Sequence, residues 1–148
     1  MARVGIFVGT VYGNAQLVAD EAERILRTAG HDANIYEEGS LEDWQQYLEA
    51  VVLVVTSTTG QGDLPDTIAP LYLAMQEPGL WQPSLRYGVI ALGDSSYETF
   101  CGAGRKFDAL LQEQGAQRVM NRLELDATEH PEPELSARSW IEAFSSAL

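Results

Sequence analysis

Apolar positions along this chain follow two rhythms. Unbroken apolar runs rich in β-branched residues, Arg3 to Val8 and Ala50 to Thr56, predict buried strands. Elsewhere apolar residues recur three and four apart and predict helices. Between Asn14 and Ala29, Leu17, Val18, Ala22, Ile25, Leu26 and Ala29 share one face, and Gly30 supplies the stop. Further strands are predicted over Ala33–Glu37, Tyr87–Leu92 and Arg118–Leu125. Further helices are predicted over Ile68–Gln76, Cys101–Gln114 and Leu135–Leu148, with a short helical turn within Leu41–Leu48. Pro70 fits only the first turn of its helix, which points to Asp66 or Thr67 as the cap. In the closing helix Trp140, Phe144 and Leu148 recur every four residues.

Five strands alternating with helices, with no repeat, linker or low-complexity tract, predict an α/β fold with a doubly wound parallel sheet. The run Ala50–Thr56 is apolar on both faces, as a central strand covered on both sides must be. Ligands of such sheets bind beyond the carboxyl ends of the strands, at the switch point. The loops leaving the first, third and fourth strands are therefore the candidate site.

Composition narrows the class. A chain of 148 residues, 45% hydrophobic, can form one domain (1–148) with a core that needs no disulfide or structural metal. No apolar stretch is long enough to span a membrane, and the first residues read as a strand rather than a signal peptide. The sole cysteine, Cys101, has no internal partner, which fits a reducing, cytoplasmic setting. Nine basic residues, of which only Lys106 is a lysine, stand against 22 acidic ones, for a net charge of −13. Such a surface disfavours nucleic acid and anionic membranes and favours basic protein partners.

The three loops are the most unusual stretches. The first, Gly9-Thr10-Val11-Tyr12-Gly13-Asn14-Ala15, leads straight into a helix and contains no Lys or Arg. A phosphate there would rest on helix-start amides and on the short polar side chains of Thr10 and Asn14. It matches neither GxxxxGK[ST] nor GxGxxG, which disfavours ATP and NAD. The second, Thr56-Ser57-Thr58-Thr59-Gly60-Gln61-Gly62-Asp63-Leu64-Pro65-Asp66, offers four hydroxyls and a glycine, Gly60, whose peptide can rotate cheaply. A rotated peptide can present its carbonyl to a proton on a bound ligand. The third, Leu92-Gly93-Asp94-Ser95-Ser96-Tyr97-Glu98-Thr99-Phe100-Cys101-Gly102, carries an aromatic ring able to stack on a planar ligand and a carboxylate for a polar ring edge. Phe100 and the Cys101 thiol read as core groups.

These runs, GIFVGTVYGNA, TSTTGQGDLPD and GDSSYETFCGAG, resemble in order the three cofactor loops of the flavodoxin family, and the likeness covers all 148 residues. With no long insertion near the fifth strand, the chain resembles the short-chain class, and it is also similar to the FMN domains of diflavin reductases. The resemblance implies a three-layer sheet of order 2-1-3-4-5 and non-covalent FMN. It places Thr10, Val11, Tyr12, Gly13, Asn14 and Ala15 at the phosphate, with Ser57 beside them. Thr58, Thr59, Gly60, Gly62 and Asp63 would face the inner side of the ring, Gly60 being the peptide that flips. Leu92, Gly93, Asp94, Tyr97, Phe100 and Cys101 would surround its outer face and pyrimidine edge, with Tyr97 stacking and Cys101 offering chiefly backbone.

Two positions depart from the family pattern. Thr59 stands where an inner stacking aromatic is common, a loss of about 1 kcal/mol, and Ala15 stands where a phosphate-binding hydroxyl is common. Both imply weaker FMN binding. The implied activity is low-potential electron transfer by a monomer, with no catalytic or metal-binding residue of its own. Acidic Asp63, Asp94 and Glu98 would disfavour a reduced, anionic flavin. The implied donor is a ferredoxin/flavodoxin–NADP reductase, and the implied acceptor an iron–sulfur or other biosynthetic enzyme. An FMN-binding regulatory module without carrier function is the alternative. A phosphorylated receiver domain would need an Asp where the third strand ends in Thr56, and a Lys after the fifth strand, where none stands.

Overall fold

The computed structural model describes residues 1–59, 61–76 and 80–148. Four parallel strands, β1 (Arg3–Gly9), β2 (Asp32–Tyr36), β3 (Val51–Thr56) and β4 (Arg86–Gly93), form the sheet with two short segments, β5 (Gln117–Arg118) and β6 (Leu123–Asp126). The order is β2-β1-β3-β4-β5, with β6 also paired to β4. Register brings the carboxyl ends of the central strands level: Gly9 pairs with Thr56, and Thr56 with Ala91.

Alternation along the strands builds two cores. Val51, Leu53 and Val55 of β3 join Val4, Ile6 and Val8 of β1 beneath α1 (Asn14–Thr28) and the C-terminal helices. Val52 and Val54 join Phe7, Val89 and Ala91 on the other face, beneath α2 (Leu41–Gln45), α3 (Ala69–Gln76) and α4 (Gly102–Glu113). All six residues of β3 are buried, as its two-faced apolar pattern requires. Trp44 of α2 is tied into the second core by polar links: its Nε1 donates to Gln82 at 2.8 Å, and Gln82 Nε2 donates to Gln114.

Three expectations need correction. The closing helix begins earlier and comes in two pieces, α5 (Pro133–Ser136) and α6 (Arg138–Ser146), joined at Ala137. Pro133 fits the first turn because its missing N–H needs no partner there. Within α6 the Trp140 and Phe144 rings stack at 5.3 Å, as their spacing predicts. The hydroxyl of Thr67 is drawn into the first loop, where it accepts from the Thr10 N–H at 3.1 Å.

The predicted fifth strand is interrupted. Tyr87 pairs with Arg118 and Ile90 with Leu123, so four residues on the outer chain face two on β4. Charge explains the bulge. Arg118 and Arg122 both reach back to Asp108 of α4, at 3.0 and 2.7 Å, and Asp108 is only 1% exposed. Tyr87 also donates its hydroxyl to this carboxylate. Desolvation raises the Asp108 pKa, but the hydrogen bonds from Tyr87 and Arg122 and the charge of Arg118 outweigh it and hold it below its usual range. Glu124, hydrogen-bonded by Arg105 and Arg122, is held down to about 2.

Groups with lowered folded-state pKa values stabilise the protein above their unfolded values and lose that contribution as pH falls through the folded ones. Stability is therefore expected to decline as pH falls from about 5 toward 2. Asp108→Asn should cost about 2 kcal/mol at neutral pH, less than a fully buried pair because the arginines retain solvent. Urea denaturation at pH 7 and pH 3 checks this; the variant's deficit should shrink at the lower pH.

Candidate functional site

The loops after β1, β3 and β4 converge on a cleft of about 440 Å³, within the range of small-molecule sites. The first loop is preformed. Gly13 takes a left-handed conformation, φ 92°, and its N–H donates to Thr10 Oγ1 at 2.9 Å. That bond orients the Thr10 hydroxyl and leaves its proton free to donate. No side chain caps α1, and no acid sits in its first turn. The helix start therefore presents its partial positive charge to the cleft.

The second loop is braced in the same way. Ser57 donates both its N–H and its hydroxyl to Gly9 O, at 2.9 and 3.3 Å. Thr58 Oγ1 accepts from the Ala103 N–H, again leaving a hydroxyl proton available. Thr59 closes a tight turn through bonds to Asp63 O. Gly60, with the flipping peptide expected of it, lies outside the described residues.

Backbone crowding fixes the third loop. A Cβ on Gly93 would lie 2.6 Å from Cys101 N, so only glycine fits there without displacing the chain. Cys101 itself adopts φ 54°, a left-handed conformation rare for a side-chain-bearing residue and costly to hold. Its buried thiol donates to Ala91 O, and burial pushes its pKa up to about 12, which keeps it neutral. Asp94 accepts from the Ser96 N–H at 2.9 Å. Asp126, at the end of β6, accepts from the Ser95 N–H and from Thr128, and these bonds hold its carboxyl far below the usual range. Tyr97 stands 59% exposed and Tyr12 93% exposed.

Thirteen of the predicted residues line the cleft: Thr10, Val11, Tyr12, Asn14, Ser57, Thr58, Thr59, Leu92, Gly93, Asp94, Tyr97, Phe100 and Cys101. Gly13 shapes the loop without lining it. The Ala15 side chain is buried in the core under α1. Gly62 packs on Thr99 and Gly102, and Asp63 turns outward to Lys106, 3.8 Å away. Of the three acids expected near a reduced ring, only Asp94 lines the cleft.

Beyond the predicted residues, Thr99 and a fourth wall of Leu125, Ala127, His130 and Pro133 complete the lining. Nothing local announces that wall, because α5 reaches the site by packing on α1. No Lys or Arg lines the cleft among the described residues, but His130 does.

This donor set fits FMN: an uncapped helix start and oriented hydroxyls for a phosphate, and an exposed tyrosine for a flat ring. The flavodoxin family model matches residues 6–140. Flavodoxin YqcA of Pectobacterium carotovorum is 62% identical, over 98% of this chain and 96% of its own. Flavodoxin YqcA of Escherichia coli is 58% identical, over 100% and 99%. Among solved structures, a C101A mutant of flavodoxin from Pseudomonas aeruginosa superposes with a TM-score of 0.92 at 42% identity, over 99% of this chain and 98% of that one.

The Thr67 bond to the first loop yields a test. Thr67→Val should leave the Thr10 N–H without its partner and cost about 1 kcal/mol of stability. Urea denaturation measures that loss, and FMN titration should show weaker binding because the loop is no longer pinned.

Proposed function

The chain belongs to the flavodoxin family, whose cofactor is FMN, and we propose that it holds FMN in the cleft described above and carries electrons at low potential from a reductase to an acceptor enzyme. The observation that carries this reading is the pairing of an uncapped helix start with an exposed tyrosine across one cleft. Bound FMN supplies one- and two-electron redox chemistry, which no side chain of the protein provides.

The α1 amides and the Thr10 hydroxyl bind the phosphate. Thr58 and Thr59 line the inner side of the ring, and Tyr97 covers its outer face. Asp94 and the neighbouring backbone meet the pyrimidine edge, where a negative carboxylate opposes added negative charge on the ring and favours a low potential. The protein turns over no substrate of its own. It acts as a cytoplasmic monomer whose net charge of −13 steers it to basic partners. A ferredoxin/flavodoxin–NADP reductase is the donor in this reading, and an iron–sulfur or other biosynthetic enzyme the acceptor.

Tyr97→Ala should weaken FMN binding about fivefold, the equivalent of about 1 kcal/mol of lost stacking, whereas Tyr97→Phe should retain it. Fluorescence titration measures both, and an unchanged alanine variant removes the stacking role. Stopped-flow reduction by a flavoprotein reductase should slow as salt rises. Reduction that never passes on to an acceptor protein would instead support the regulatory module.

A further inference from the structure

His130 belongs to the loop between β6 and α5 and lines the cleft. Its ring Nδ1 lies 3.0 Å from Ser136 Oγ, and its backbone N–H donates to Asp126 O at 2.9 Å. The ring is thereby tied at one nitrogen, and Nε2 remains as its second polar atom.

The helices indicate which end of the cleft it serves. Arg138 at the start of α6 pairs with Glu21, two turns into α1, at 3.3 Å. The α5 segment just before it packs on α1 as well. Pro133, five residues before Arg138, lines the cleft together with His130, Thr10 and Asn14. This is the end where the helix amides are presented.

Among the described residues, the side-chain partner of the imidazole is Ser136 and no carboxylate. Asp94 stands in the cleft wall with its carboxylate bonded to Ser96. Asp126, at the end of β6, is engaged by Ser95 and Thr128. Glu129 and Glu132 flank it in sequence, and Glu134 follows on α5. The first acids of α1 are Asp20 and Glu21, the latter paired with Arg24 and Arg138. Tyr12 and Tyr97 add phenols, and Cys101 a thiol that burial keeps neutral.

We propose that His130 is a binding residue for the FMN phosphate, supplying in its protonated form the one positive side chain among the described residues of the cleft wall. The proposal rests on FMN occupying this cleft. Only the protonated imidazole carries charge, so its contribution should appear as pH falls. The phosphate takes up its own second proton near pH 6. The comparison is therefore the ratio of variant to wild-type dissociation constants at each pH, in which the phosphate titration cancels.

The experiment is a fluorescence titration of FMN and of riboflavin at pH 8.0 and pH 5.5, with wild type, His130→Gln and His130→Lys. For FMN, the glutamine variant should match wild type at pH 8.0 and bind about threefold more weakly at pH 5.5, the size of a partly solvated charge pair. The lysine variant, charged at both pH values, should bind FMN more tightly than wild type at pH 8.0. Riboflavin, which lacks the phosphate, should bind all three proteins equally at each pH. A glutamine ratio that does not change with pH, or the same loss with riboflavin, overturns the role of His130. Failure of the wild type to bind FMN at either pH overturns the cleft assignment itself.

Discussion

The level alignment of three parallel strands is the constraint on which the rest of this structure depends. Gly9, Thr56 and Ala91 lie in register across β1, β3 and β4, so the three loops leave the sheet at one edge. A slip of one residue would turn every buried side chain of β3 to the opposite face. Burial on both sides forbids this: Leu53 and Val55 are committed to the core under α1, and Val52 and Val54 to the core under α2, α3 and α4. Hydrophobic packing thus fixes where the chemistry stands, although none of those residues takes part in it.

Polar bonds then fasten each loop to a different element, which limits how far any one can move alone. The first loop is held to Thr67, just before α3. The second is held through Thr58 to the first turn of α4. The third is held through Ser95 to Asp126 at the end of β6. Pre-organisation of this kind lowers the ordering cost of binding.

Much of this was legible in the sequence because the signals are local. Strand and helix periodicity placed the elements, and the composition of three loops marked the cleft. What escaped depends on contacts distant in sequence. The break between β5 and β6 follows from Arg118 and Arg122 reaching Asp108 on α4, which no periodicity encodes. His130 and Pro133 enter the site through the packing of α5 on α1, at the far end of the chain. Conversely, Gly62 and Asp63 carry the right composition, but the turn closed by Thr59 aims them at Thr99 and Lys106. Composition nominates a loop, and tertiary contacts decide which of its side chains face inward.

The central claim is that this one rim of the sheet grips FMN, and backbone amide NMR during an FMN titration tests it most directly. Saturating shifts should appear for residues 10–14, 57–59, 93–100, 127–130 and 132, while amides at the opposite rim, such as Arg3, Val51 and Arg86, stay in place. Shifts centred on that opposite rim, or none at saturating FMN, would contradict the account.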